Sequence, residues 1–454
     1  MSIPLFNFSH LFRGSFSHGI HPAENKQFTA GKAIRRLPFP ERLVLPLSMH
    51  AGKPSVPLVR KGQEVVRGEP IARADGFVSV PLHAPASGVI SEIRLMPTAR
   101  GPRTLSLILD VYAGDPQEVG YGAPADVGAL SPDEIVTAVQ NTGLVGLGGA
   151  AFPTHVKMKV PEGCQIDTIL INGCECEPFL TTDHRLMLEQ AADLVEGTRI
   201  LMRAMGAKRG IIATEDNKLD AVDAIRKVLK PNDTVSAMAV ETKYPQGAEK
   251  MLIKSVLNRE VPGGTFPSAV GVGVFNVATT AQMGQLMPMQ RGVIERVVTV
   301  TGPGVQRPGN FMVPIGTPIR WLLETCGFSG SARHLIMGGP MMGGTVSSLD
   351  VPITKGCGGL LVLSEHQLTT EAQMRRYPCI SCAACVEACP MHLNPCELGR
   401  LAYKGQYETM AESYHLNDCF ECGSCSYVCP AAIPLVQYFR IAKSSNREKA
   451  AKAS

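Results

Sequence analysis

Eight cysteines fall in two runs of one form, CISCAACVEACP and CFECGSCSYVCP. They place thiols at Cys379, Cys382, Cys385 and Cys389, followed by Pro390, and at Cys419, Cys422, Cys425 and Cys429, followed by Pro430. A C-x2-C-x2-C-x3-C-P run is the spacing by which thiolates hold paired [4Fe–4S] cubanes, the fourth cysteine of each run serving the other cluster. Three thiolates two residues apart can wrap one face of a cubane, and the fourth leaves on a helix aimed at its neighbour. One cluster is therefore expected on Cys379, Cys382, Cys385 and Cys429, and a second on Cys419, Cys422, Cys425 and Cys389. Zinc knuckles compete for such residues, but zinc takes two separated pairs rather than triplets each trailed by Cys-Pro. Cys396, outside both runs, reads as a small buried hydrophobe. Clusters of this kind only pass single electrons, so the chain needs a place for them to enter.

Two upstream segments could supply it. In NTGLVGLGGAAFPTHVKMK, Gly143, Gly146, Gly148 and Gly149 allow a backbone to approach a phosphate closely, and Lys157 adds a compact positive charge. The loop is neither a Walker A motif, since no G-K-[ST] follows, nor a dinucleotide fingerprint, since it follows a helix rather than a strand. By itself it is as consistent with a tight turn. The second segment, TILINGCECEP, is a buried strand that delivers Asn172, Glu175 and Glu177 at its C-terminal end, where open α/β sheets present ligand-binding groups. Cys174 and Cys176 flank Glu175, but a one-residue separation turns them to opposite faces, which favours inert thiols. His184 and Arg185 read as surface residues, and MGGPMMGG as a tight turn with adaptable packing.

These segments need elements to position them. The chain has 454 residues, 44% hydrophobic and 19% charged, enough for several packed cores. With 44 Lys plus Arg against 40 Asp plus Glu, the net charge of +4 gives no basic footprint for nucleic acid. No window approaches the roughly 18 apolar residues of a membrane span, and no apolar core follows basic residues at the N-terminus, so no secretory signal is expected. Residues 1–35 read as an irregular extension with aromatic residues at Phe6, Phe8, Phe12 and Phe16. Residues 36–115 alternate apolar residues with Pro and Gly, as the two halves of a hammerhead-like barrel-sandwich module would. Its central ADGFVSV lacks the lysine of a carrier domain. Residues 125–280 alternate strands and helices and predict a largely parallel α/β sheet. Ser131, Pro132 and Glu134 open its first helix as a capping box, and RLMLEQAADLVEGTRILMRAM reads as one long helix. Residues 290–350 return to short strands, 365–436 are helical and cysteine-rich, and 437–454 read as a polar tail.

GLVGLGGAAFPTHVK and INGCECEPFLTTDHRLM resemble the flavin- and NADH-binding segments of the 51-kDa (NuoF-type) subunit of respiratory complex I, and YPQGAEK and GVFNVATT resemble its later segments. Segment order, a following β-grasp (SLBB) module and a terminal iron–sulfur domain agree. Two cluster motifs, the hammerhead-like module and the opening FRGSFSHGIHPAENK resemble more closely the C subunits of Rnf ion-translocating electron-transport complexes (RnfC/RsxC). The fold class implied is multidomain α/β plus β: a hammerhead-like module, a NuoF-like FMN/NADH domain, an SLBB module and a helical two-cluster ferredoxin-like domain.

Carried over by position, the resemblance implies that Gly146, Gly148, Gly149, Lys157, Asn172, Glu175, Gly247 and Asn276 bind non-covalent FMN. Phe152 would lie beside the nicotinamide nucleotide, with Glu177 and Glu249 at the reacting side. The chain departs from the complex I pattern at Leu147, in place of Arg, at His155, in place of Gly, and at Cys174 and Ala248, each in place of an acid. The function implied is that of a peripheral subunit on the cytoplasmic side of the inner membrane. It would exchange hydride with NAD(H) and pass electrons to integral membrane subunits and a ferredoxin-type iron–sulfur subunit. A soluble flavin/iron–sulfur reductase, such as a microcompartment cobalamin reductase, is the alternative.

Overall fold

Alternating apolar residues build two antiparallel sheets between residues 42 and 111. One orders Arg42–Pro46, Gly101–Val111, Gly88–Thr98 and Glu64–Val65; the other Val56–Pro57, Pro70–Arg73 and Leu82–His83. Their inner faces bury Leu43, Leu45, Ile71, Ile90, Leu107 and Leu109, the period-two face of each strand. The computed structural model describes residues 14–99, 101–328, 330, 334–346, 348–364 and 375–453. Phe6, Phe8 and Phe12 lie outside them, whereas Phe16 is buried under the Lys243 ammonium, 4.7 Å from its ring centroid. The ADGFVSV bend docks on the next domain: the Phe77 ring meets His155 edge-on at 5.2 Å, and its carbonyl oxygen lies 2.6 Å from His155 Nε2.

The α/β domain opens as its sequence predicts. Ser131 Oγ accepts from Glu134 N–H and the Glu134 carboxylate accepts from Ser131 N–H, with Pro132 at the first helical position of Pro132–Thr142. Four parallel strands follow in the spatial order Val235–Val240, Arg209–Glu215, Thr168–Gly173 and Val272–Asn276, joined by helical crossovers. The expected single long helix is two, Thr182–Glu189 and Ala191–Met205, bent at Gln190 (φ −127°, ψ 33°). The ladder bonds Gln190 N–H to Leu186 O and Leu194 N–H to Gln190 O survive, so the bend redirects rather than breaks the helix. The first piece then packs against the strand Glu295–Thr301 and the second along the helix Val277–Leu286.

Two segments differ from their expected roles. Ile34–Arg36, read as the end of an irregular extension and the first residue of the barrel-sandwich module, pairs in parallel with Gly309–Pro314. It becomes the edge strand of a six-stranded sheet continuing through Glu295–Thr301, Gly359–Val362, Leu335–Met337 and Gly344–Thr345. The helix Ile319–Thr325 covers this sheet with Ile319, Leu322 and Leu323. Most of the expected polar tail is the distal part of a helix, Leu435–Ala453. Asn446 donates to the Tyr407 carbonyl at 2.8 Å and Lys449 pairs with Glu408 at 2.7 Å, which holds its polar face on the helix Tyr407–Glu412. Among the described residues no helix is long and apolar enough to cross a membrane.

Candidate electron-transfer site

The glycine loop leaves the helix Pro132–Thr142 at Gly143 and turns back on itself, Gly146 N–H donating to Phe152 O at 2.8 Å. Two buried cations from the six-stranded-sheet domain hold its carbonyls: Arg296 donates to Leu147 O at 3.1 Å, and Lys355 Nζ to Gly143 O at 2.6 Å. Burial pulls the Lys355 pKa down to about 7. At Gly149 the backbone sits at φ +115° with open space where a Cβ would point, and a Cβ on Gly148 would come within 3.3 Å of the Asn276 amide. A side chain on either would fill the hollow between the loop and the end of the strand Val272–Asn276. Asn276 caps the helix Val277–Leu286 through Thr279 N–H and donates to Asp183 at 2.6 Å. Phe152 is 39% exposed.

Across the hollow, the strand Thr168–Gly173 ends in Asn172, whose Nδ2 donates to Gly247 O at 2.7 Å. A Cβ on Gly247 would lie 2.3 Å from Cys174 O, so only glycine lets the loop before the helix Glu249–Leu257 meet the end of the strand Thr168–Gly173. Lys157 and Glu249 pair at 2.8 Å, both about two-fifths exposed. Glu175 turns inward and accepts from Asp183 N–H and His184 N–H, capping the helix Thr182–Glu189. Glu177 accepts from Met341 N–H at 3.1 Å and Met342 N–H at 2.7 Å, and burial raises its pKa. The MGGPMMGG turn therefore clasps this carboxylate. His184, expected at the surface, is buried, with Nε2 3.0 Å from Asp220. Arg185 pairs with Glu189 at 2.6 Å and donates to Ala30 O at 3.3 Å. Cys174 and Cys176 enter different clusters of apolar side chains, and burial raises both thiol pKa values.

Three contributors escaped the sequence reading. Lys26, from the N-terminal segment, is buried and donates to the carbonyls of Glu175, Glu177 and Leu180, fixing the whole acidic loop. Asp183 has its pKa pushed up to about 7 by desolvation and by Glu175. Gln246 is 0% exposed, and among the described residues neither its side-chain oxygen nor its nitrogen has a partner. The exposed Lys157, the open space at Gly149 and the Asn276 amide facing Gly148 leave room and polar groups for a phosphate-bearing ring system. The glycine loop, the Asn276 amide and the Lys157 ammonium fit a flavin mononucleotide. Lys26 closes the FRGSFSHGIHPAENK segment, but its role was not legible there because the carbonyls it binds lie in a distant segment; nothing local in YPQGAEK shows that the Gln246 amide is buried.

The two cysteine runs fold alike. Ser381 and Glu421 have φ 57° and 61°, Ala383 and Gly423 φ 62° and 88°, and His392 and Ala432 φ 54° and 52°. Ser381 N–H donates to Cys379 Sγ and Glu421 N–H to Cys419 Sγ, each at 3.4 Å. Short helices Ala384–Glu387 and Ser424–Tyr427 follow in the same register. The fourth cysteines cross over: Cys389 lies in electrostatic reach of Cys419 and Cys422, and Cys429 of Cys385. All fourteen cysteines are free thiols. Burial first of all pushes Cys385 and Cys419 up to about 11, so bound iron rather than solvent would ionise them. Matched turns with N–H groups aimed at sulfur suit two cubanes. Cys396, expected to be a buried hydrophobe, is instead half-buried with its Sγ 3.6 Å from Cys379 Sγ.

A wall of Ile20, Tyr244, Cys176, Met341, Ala388, Cys422 and Val428 joins the second run to the hollow. Within it Gly247 N–H donates to Cys176 Sγ at 3.4 Å, and Tyr244 Oη donates to Cys422 O at 2.5 Å. The first run faces outward, with Cys379 and Cys382 exposed.

Four family models match. Residues 14–111 match the RnfC barrel sandwich hybrid domain, 139–285 the Nuo51 FMN-binding domain, 297–344 the SLBB domain and 378–433 the 4Fe-4S dicluster domain. Among curated proteins, the chain is 39% identical to the C subunit of the proton-translocating ferredoxin:NAD(+) oxidoreductase complex of Clostridium ljungdahlii, over 95% of this chain and 94% of that one. It is 40% identical to the C subunit of the Na(+)-translocating ferredoxin:NAD(+) oxidoreductase complex of Acetobacterium woodii, over 95% and 96%. The C subunit of the ion-translocating oxidoreductase complex of Edwardsiella ictaluri is 39% identical over 95% of this chain and 54% of that one. Among solved structures, the NAD+-reducing [NiFe]-hydrogenase in the H2-reduced state shares the fold. Its TM-score is 0.51 at 19% identity, covering 69% of this chain and 62% of that one.

Proposed function

The chain belongs to the family of C subunits of Rnf-type ion-translocating ferredoxin:NAD(+) oxidoreductase complexes, and from that premise we propose that it exchanges electrons with NAD(H) and conducts them to neighbouring subunits. FMN and two [4Fe–4S] clusters are its cofactors; when bound, they supply hydride exchange with NAD(H) and one-electron transfer. The chain supplies position, insulation and charge.

Gly146, Gly148 and Gly149 would let the backbone approach the flavin, with Asn172, Gly247 and Asn276 around it and Lys157 at its phosphate, while Glu175, turned inward onto Asp183 N–H and His184 N–H, would act on this side by holding the acidic loop. The Lys157–Glu249 pair is so exposed that it is worth at most about 1 kcal/mol, and a phosphate can take Lys157 from Glu249 at little cost. Glu249 would then be free to face the nicotinamide, with Phe152 offering a flat apolar face. Glu177, held by two N–H groups, fixes the turn that closes this side. Cys419, Cys422, Cys425 and Cys389 hold the inner cluster, the entry; Cys379, Cys382, Cys385 and Cys429 hold the outer, the exit.

One observation carries this reading: the wall in which Gly247 meets Cys176 and Tyr244 meets Cys422 belongs both to the hollow and to the inner cysteine run. Receiving partners would be integral membrane subunits and a ferredoxin-type iron–sulfur subunit, with this chain peripheral on the cytoplasmic face. The two bacterial relatives translocate different ions by name yet are equally similar to this chain, which supports ion choice residing in other subunits. Identity of 39–40% across 95% of the chain favours this function over the cobalamin reductase alternative. Anaerobic titration of the purified chain with NADH, followed by flavin and cluster absorbance, tests it. Bleaching of both is expected; flavin bleaching with unreduced clusters, or no response, contradicts it.

A further inference from the structure

The first cysteine run carries a fifth thiol that the second lacks. The runs are offset by 40 residues throughout, Cys379 to Cys419 and Cys389 to Cys429, so Cys396 corresponds to Val436. Val436 is 7% exposed and packs in the hydrophobic core of the iron–sulfur domain. Its position is filled by a hydrocarbon where the run is buried and by a thiol where the run is exposed. Cys396 stands in the first turn of the helix Pro395–Tyr403, whose start Asn394 caps through Glu397 N–H. One turn on, Arg400 donates to Ser381 Oγ at 3.0 Å and pairs with Glu397 at 3.3 Å, which ties this helix to the Cys379–Cys382 loop. The Sγ atoms of Cys396 and Cys379 are 3.6 Å apart, and Cys379 is exposed.

Resting on the assignment of the outer cluster made above, we propose that Cys396 is a reserve ligand of that cluster, placed to take the iron that Cys379 holds. The exchange moves no electrons. The iron–sulfur bond to Cys379 breaks, a bond to Cys396 forms, and the Cys396 thiol proton passes to the released Cys379 thiolate. A fifth thiol beside an exposed ligand lets the cluster survive loss or chemical blocking of that ligand.

Iron and acid-labile sulfide content, with EPR of the dithionite-reduced and as-isolated protein, tests this on the full chain purified anaerobically. The wild type is expected to carry about eight irons, two cubanes of four. Cys379→Ala is expected to keep about eight, with a changed EPR signal for one cluster, whereas Cys379→Ala/Cys396→Ala falls to about four. The four irons left in the double variant report that the domain still folds. Loss of the outer cluster in Cys379→Ala alone overturns the proposal, as does a fall to about seven irons with the spectrum of a three-iron cluster. Equal iron in the single and double variants also overturns it. A wild type with about four irons or fewer would instead remove the two-cluster assignment, a distinguishable failure.

Discussion

The two cysteine runs share their turns, their sulfur-directed N–H groups and their short helices, yet they stand in opposite environments. Gly423 in the second run faces the Met341 carbonyl, and Cys422 is tied through its own carbonyl to Tyr244. The matching Ala383 and Cys382 are exposed. In the proposed function one repeated motif acquires two roles from its surroundings: an inner site packed against the Tyr244 wall, and an outer site that is exposed. Local sequence repeats the cysteine run; packing gives its two copies different surroundings.

The largest contrast is expected from ligand loss. Cys422→Ser should abolish NADH-driven reduction of everything beyond the flavin, while Cys382→Ser should leave the inner cluster reducible and abolish delivery to an external acceptor. Anaerobic single-turnover spectra separate the two, and identical behaviour would erase the distinction between entry and exit. Next, Gly423→Ala places a Cβ 2.9 Å from Met341 O at φ +88°, at an expected cost of about 1–2 kcal/mol. Ala383→Gly, at the matching exposed turn, should shift denaturation by less than about 1 kcal/mol. Tyr244→Phe strips the buried donor from the half-buried Cys422 carbonyl and should cost about 1 kcal/mol by denaturant unfolding. Its outer counterpart, Arg400→Ala, should leave the unfolding midpoint unchanged.

The smallest effect concerns pH. The Asp183 carboxyl is raised from 3.8 to about 7 by burial and by Glu175, against opposing contributions from Asn276, Arg296 and Lys26. A carboxyl whose pKa is higher in the folded state favours folding when protonated. That contribution is complete below 3.8 and is lost as pH climbs through about 7. Asp183→Asn should therefore raise the melting temperature by about 2–4 °C at pH 8 and by less at pH 5. An equal change at both pH values would show that Asp183 is already ionised throughout.

What the sequence disclosed was local. Cysteine spacing, the Ser131–Glu134 box, the parallel strands and the glycine loop are patterns within a dozen residues. Features that sequence reading missed depend on partners far apart in the chain. Lys26 reaches carbonyls at Glu175 to Leu180, His184 finds Asp220, and Tyr244 finds Cys422 across 178 residues. Ile34–Arg36 joins a sheet nearly three hundred residues away, and nothing in those three residues announces it. The bend at Gln190 separates two pieces packed on different neighbours, which helical periodicity alone does not register. Cys396 looked like packing because its role depends on a side chain 17 residues earlier in a loop.

The decisive measurement is rapid freeze-quench EPR of the NADH-reduced chain, with and without a dysprosium complex that broadens only signals near solvent. The first cluster signal to rise should be the one the complex leaves sharp, the Cys419–Cys422–Cys425–Cys389 site, followed by a broadened one. A first signal that is broadened, or clusters that stay oxidised while the flavin bleaches, would contradict electron entry through the inner site.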